Sequence, residues 1–296
     1  SYFYGFMNAP FIKLTGNFLG MKIMNLVWLI LLMLSIYYIT KKDKKIFLLI
    51  ITAPVFWYMA PYINPIQIAS LFFLWAYYFI KKYDENEIIK YLIYSGIFVG
   101  LAWVFWDTIL YFGVILTLCF LFNKKTSHLF LFILFIFVGL IPRLILDQIL
   151  FNFAFFSIFK SFSGGMVNLF WKGIYGVGGQ GIFGDEFIFK TFINILTVLL
   201  ILPLFSFLLL KPKNFKENKK TAIFLILSLL LILLNPQVRY TLIIIPIIIL
   251  NIGKIINERQ LKTYVIFSII TSLLVITPYL IQIKYSINTE DFQSMI

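Results

Sequence analysis

The sequence alternates long apolar runs with short clusters of lysine, and that alternation constrains the chain more than any other feature. Leu129–Leu140 and Ala222–Leu234 carry no charged side chain at all. Water cannot accommodate many such segments unless each is buried. A bilayer takes them as helices, because a helix satisfies every backbone polar group within itself. Composition agrees: the 296 residues are 61% hydrophobic and 12% charged, with a mean hydropathy of +0.97. Soluble domains run at about 45–50% apolar and about 25% charged. An ordinary soluble domain, a disordered chain and a disulfide scaffold are thereby excluded. The expected fold class is all-α, a polytopic transmembrane helical bundle in one domain over 1–296.

Charged clusters delimit ten candidate spans, at about 18–39, 46–60, 62–80, 90–105, 107–122, 129–143, 190–210, 221–235, 238–253 and 264–283. Several hold about 15 residues, or about 22 Å of helix, against a hydrocarbon core of about 30 Å. Such spans need flanking residues, a thinned bilayer or burial within the bundle. The polar break at Trp106, Asp107 and Thr108 divides 91–122 into two helices.

Assigning alternate loops to alternate faces sorts the charge. One face receives 17 of the 25 basic residues, in the loops near 40–45, 81–90, 123–128, 211–220 and 254–262. The other receives eight, and the acidic residues divide evenly. The positive-inside rule makes the lysine-rich face cytoplasmic. The net charge of +13 is then mostly a topology signal, and no nucleic-acid partner is needed to explain it. The expected localisation is integral to the membrane, multi-pass, with both ends of the chain outside.

The external side holds the residues with chemical potential: Asn64, Asp107, Arg143, Asp147, Lys172, Asp185, Glu186, Arg239 and Tyr240. Ionisable groups near hydrocarbon are costly, which makes them functional candidates. The longest loop, 144–189, is external. Its Phe-rich stretch Asn152–Ser163 reads as an interfacial helix. Eight of the sixteen glycines follow within 164–184. They permit tight turns and close approach to a ligand, though a plain connection explains them as well.

Other chemistries are excluded by count or spacing. Cys119 is the single cysteine and His128 the single histidine, so no internal disulfide, no Cys- or His-rich metal site and no Ser/His/Asp triad is expected. GxxxxGK[ST], GxGxxG and GxSxG are absent, and no cofactor is expected.

Four stretches together carry a family resemblance. They are Asn8-Ala9-Pro10 with Phe11–Gly20 and a span ending Tyr37-Tyr38; Gly96–Leu101 followed by Trp106-Asp107-Thr108; Gly139-Leu140-Ile141-Pro142-Arg143 through Asp147, Phe151 and Asn152; and Asn235–Tyr240 ahead of Pro246. In this order they resemble the GT-C polytopic membrane glycosyltransferases, relatives of protein mannosyltransferases and aminoarabinose transferases. The resemblance implies transfer of a sugar from a polyprenyl-phosphate-linked donor to a glycan, lipid or protein acceptor on the extracytoplasmic face. It also implies a catalytic Asp in the first external loop. No acidic residue precedes Asp43, and residue 64 is Asn where some relatives carry Asp. The chain is therefore expected to lack the family's first helix and most of that first external loop.

A lipid-phosphate donor requires an apolar groove, cations for its phosphate and a carboxylate for the acceptor hydroxyl. Arg239, Arg143 and Lys172 are the phosphate candidates, with Arg favoured for its bidentate fork. Tyr240 and Asn64 are further substrate-binding candidates. Asp107, Asp147, Asp185 and Glu186 are candidates for the base or for acceptor positioning. The competing expectations are a transporter or lipid flippase with the same groove and no chemistry, and a non-catalytic membrane scaffold.

The sidedness is testable by impermeant thiol labelling of intact cells, with Cys119 replaced by Ala. Cysteine at Gly179 is expected to label from outside and cysteine at Asn218 is not. The opposite pattern reverses the topology.

Overall fold

A computed structural model describes residues 2–16, 19–122, 124–170, 192, 195–199, 201, 209, 211–234 and 237–287. Among them the chain is helical, with no strand. The helices are α1 (Tyr2–Thr15), α2 (Leu19–Ile39), α3 (Lys44–Thr52), α4 (Pro54–Met59), α5 (Ile66–Asn86), α6 (Ile89–Phe105) and α7 (Ile109–Leu121). They continue as α8 (Thr126–Phe151), α9 (Phe156–Phe170), α10 (Pro212–Glu217), α11 (Lys219–Leu234), α12 (Thr241–Ile252) and α13 (Glu258–Ile287). A 3-10 turn, Val238–Tyr240, leads into α12.

The core is built on α12 and α5. Every residue from Thr241 to Ile252 is buried, as an all-round apolar helix must be in a bundle centre. It packs against α2, α3, α4 and α5. The outer helices turn large apolar side chains outward: Leu26, Ile30 and Leu34 on α2, Ile133, Phe137 and Ile141 on α8, Ile266, Ile270 and Leu273 on α13. Two helices, α2 and α8, are long and apolar enough to cross a membrane.

Most candidate spans coincide with a helix, with instructive departures. The 46–60 run is two helices. Pro54 cannot continue α3, and Ala53 is extended at the break. The carbonyls it frees are met by the Trp57 indole, donating to Ile51 at 2.6 Å, and by Ser272, donating to Thr52 at 3.3 Å. Conversely, Pro142 does not end α8, which runs on to Phe151. The stretch 144–151 is therefore helix rather than loop. α8 stops where Asn152 turns left-handed at φ 52° and its N–H bonds Gln148 O at 3.0 Å. The stretch expected as an interfacial helix begins α9, and 91–122 divides into α6 and α7 as the polar break implied. The 190–210 run lies largely outside the described residues.

Lysine-rich loops from distant parts of the sequence meet at one end of the bundle. Lys124 of the α7–α8 turn pairs with Glu87 at 2.5 Å, and Lys220 pairs with Asp84. Lys41, Lys81 and Lys254 line one cleft. α6 rises from this end, and its 17 residues span about 25 Å to the Trp106–Thr108 break at the other.

α6 and α8 approach closely enough to exclude any side chain between them. A Cβ on Gly100 or Gly139 would fall on the Ile136 or Ile97 carbonyl oxygen, and one on Gly96 would lie 2.7 Å from Phe132 O. Small residues four apart on one face permit this backbone contact. Gly139→Ala is expected to cost about 1–3 kcal/mol of stability by overpacking, read as a lower unfolding temperature of the detergent-solubilised protein. Gly5→Ala, with open space around it, is expected to be neutral or to stabilise by up to about 1 kcal/mol. Equal effects at the two positions would contradict the packing argument.

Candidate functional site

The glycine contact fixes what faces what at the α6 terminus. Arg143 lies one helical turn beyond Gly139, and Trp103 and Asp107 lie beyond Gly100, so the two helices bring these side chains together. The Arg143 guanidinium is buried, 2% exposed. Its Nη1 forms an ion pair with Asp107 Oδ1 and also donates to Trp103 O at 3.1 Å. Its Nε donates to Ser157 Oγ at 2.8 Å.

Each charge sits at a helix end of favourable sign. Arg143 satisfies a carbonyl left over in the last turn of α6, and Asp107 stands just ahead of α7. Asp107 is further held by the Trp103 indole at 3.2 Å and by the Ser161 hydroxyl, which donates to Oδ2 at 2.8 Å. Its side chain retains 36% exposure, against 3% for that of Arg143.

Asp147, one turn beyond Arg143, is buried. Its Oδ2 accepts the Ser157 backbone N–H at 2.9 Å and the Ser157 hydroxyl at 2.6 Å. It thereby places an anion against the first turn of α9. Ser157 is the relay, accepting from Arg143 and donating to Asp147. Ser157 and Ser161 are four apart on α9 and latch that helix onto α8 and onto Asp107 in the α6–α7 break. Neither serine was picked out from the sequence. The signal was present, since two hydroxyls spaced i, i+4 in a Phe-rich segment share one helix face.

The Arg239–Tyr240 turn is docked beside this network. Tyr240 packs on Trp106 with ring centroids 5.1 Å apart and planes tilted by 41°. Arg239 is exposed and its guanidinium lies 5.5 Å from the Tyr240 ring centroid. Thr241 anchors the turn, its hydroxyl donating to Val238 O at 2.7 Å. Four of the sequence candidates (Asp107, Arg143, Asp147 and Tyr240) thus belong to one connected assembly, with Arg239 at its edge.

Asn64 stands apart. Its side-chain oxygen accepts from Ile66 N at 3.0 Å at the start of α5, and its backbone N–H donates to Asn25 Oδ1 at 3.2 Å. Asn25 in turn bonds the Tyr4 hydroxyl. That cluster joins α1, α2 and α5, and among the described residues no bond links it to Asp107. Lys172, Asp185 and Glu186 lie outside the described residues.

Chemically, the assembly offers a partly open carboxylate on a rigid mount and an exposed guanidinium one aromatic pair away. Arg143 and Asp147 are committed to internal partners. Among the described residues no three His, Cys, Asp or Glu side chains converge as a metal site would require. No family model matches the chain, and neither a curated protein nor a solved structure is similar enough to match.

Proposed function

We propose that the chain is a multi-pass membrane glycosyltransferase of the GT-C kind, moving a sugar from a polyprenyl-phosphate donor to an acceptor on the extracytoplasmic face. The membrane part of the reading is a bundle of about ten spans. It is supported by the apolar outer faces of α2, α8 and α13 and by the meeting of the lysine-rich loops at one end. The positive-inside rule makes that end cytoplasmic and the Asp107 end extracytoplasmic.

The observation that supports the transferase reading is the packing of Tyr240 on Trp106, which sets Arg239 and Asp107, each next in sequence to one of the two rings, at the same end of the bundle. In this reading Arg239 holds the donor phosphate, its fork suited to two oxygens at once. Asp107 receives the acceptor hydroxyl. Its Oδ1 accepts from Arg143 and from the Trp103 indole and its Oδ2 from Ser161, so it is held in place while its side chain stays partly exposed. Arg143, Asp147 and Ser157 act as positioning residues. They keep the carboxylate still, which is where preorganised sites gain most of their effect.

The flippase alternative has one feature in its favour, the broken α3–α4 helix. That break is filled by Trp57 and Ser272 rather than opened to a ligand, which weakens the argument.

The test is sugar transfer in proteoliposomes from polyprenyl-phosphate-linked hexoses. Asp107→Asn is expected to lower turnover at least about tenfold, or roughly 1.4 kcal/mol of barrier. Arg239→Ala is expected to raise the donor concentration needed for half-maximal rate, and Arg239→Lys to restore part of the loss. Unchanged rates in both Asp107→Asn and Arg239→Ala would overturn the site. Movement of labelled lipid across the bilayer without transfer would favour the flippase.

A further inference from the structure

We propose that the cleft at the lysine-rich end of the bundle binds the phosphate of an anionic lipid headgroup, with an acyl chain lying in the aromatic groove beside it. The inference rests on the membrane reading above and not on sugar transfer.

The cleft has a volume of 390 Å³ and lies where the α2–α3 turn, the end of α5 and the end of α12 converge. Four lysines line it, Lys41, Lys81, Lys82 and Lys254, with two carboxylates, Asp43 and Glu85. The carboxylates are already engaged. Glu85 pairs with Lys82 at 3.1 Å, and Asp43 caps α3 by accepting the Lys45 N–H at 2.8 Å. Lys41, Lys81 and Lys254 then face the cavity with no carboxylate in ion-pair reach among the described residues.

Lys81 is aimed rather than solvated. Its ammonium donates to Asn251 Oδ1 at 2.7 Å. The Asn251 amide nitrogen donates to Tyr77 Oη at 2.9 Å and to Ile247 O at 2.7 Å. Tyr77 shares a hydrogen bond with Thr221 at 2.8 Å. Asn251, Tyr77 and Thr221 are all buried. A chain of satisfied buried groups thus holds one amine at the cavity wall.

Lys41 is placed by a strained backbone. It and Lys42 are left-handed, at φ 56° and 62°, where their N–H groups close the α2 terminus on Tyr38 O and Tyr37 O, both at 3.0 Å. Glycine is the residue that adopts this cap without cost. A lysine there suits a need for its side chain.

The lipid, rather than a free anion, is indicated by what adjoins the cleft. A second hollow of 390 Å³ shares Lys41, Ile39 and Tyr78 with it and is walled by Tyr38, Trp75 and Lys42. Its rings are spaced 6.4 Å (Tyr38–Trp75) and 5.7 Å (Trp75–Tyr78). Aromatic side chains of this kind sit at headgroup level in a bilayer, and basic pockets between helices on the cytoplasmic side take anionic headgroups.

The full chain, purified in a neutral detergent, is titrated with dioctanoyl phosphatidylglycerol, dioctanoyl phosphatidylcholine or inorganic phosphate, and binding is read from the rise in unfolding temperature. Phosphatidylglycerol is expected to bind at least fivefold more tightly than phosphatidylcholine, and inorganic phosphate at equal concentration to give no rise. Lys254→Gln is expected to weaken phosphatidylglycerol binding at least fivefold. Lys41→Gly is expected to weaken it while leaving the unliganded unfolding temperature unchanged or higher, which separates a ligand role from a structural one. Equal binding of the two lipids, or unchanged affinity in both variants, overturns the site. Protection by inorganic phosphate equal to that by phosphatidylglycerol overturns the lipid assignment in favour of a soluble anion. Turnover is not read, so failure of the transferase reading leaves the result standing. Alkaline carbonate extraction tests membrane integration separately.

Discussion

The Asp107–Arg143 ion pair is the interaction on which its end of the bundle depends. It spans the α6–α7 break and α8, and through Ser157 and Ser161 it also holds α9. An arginine that is almost wholly buried is tolerable only when its donors are met. Here the carboxylate, the Trp103 carbonyl and the Ser157 hydroxyl meet them. Removing Asp107 would leave the buried Arg143 guanidinium without its counter-charge, which is why such networks behave as units. The pair in turn depends on the bare backbone contact of Gly100 with Gly139, because a wider gap would take Arg143 out of reach of the α6 terminus.

The two ends of the molecule solve the problem of buried polarity differently. At the Asp107 end, opposite charges from separate helices neutralise one another and leave one carboxylate partly open. At the lysine end, carboxylates are consumed by ion pairs and a helix cap, and among the described residues positive charge remains unbalanced around a cavity. A catalytic carboxylate and an anion site are the respective uses proposed for these arrangements.

The helices were legible because a long uncharged run has few ways to exist, and the Trp106–Thr108 break because three polar-tipped residues interrupt one. Asp107, Arg143, Asp147 and Tyr240 stood out singly as polar residues near apolar segments. Their pairing was not legible, since it follows from a helix crossing set by Gly100 and Gly139, 39 residues apart, rather than by any local spacing. Pro54 breaks its helix whereas Pro142 does not. At the Pro54 break the Thr52 carbonyl is met by Ser272, a tertiary neighbour that sequence alone does not name. Asn64 stood out by position, and its bonds tie it to the start of α5 through Ile66 and to α2 through Asn25.

The most direct test is a double-mutant cycle on the stability of the detergent-solubilised chain, using Asp107→Asn, Arg143→Gln and the combination. The pair is predicted to show a coupling energy of at least about 1 kcal/mol, the double variant losing less than the sum of the singles. Losses that add to within about 0.5 kcal/mol would show that the two residues act independently. The account of the Asp107 end as one assembly would then fail.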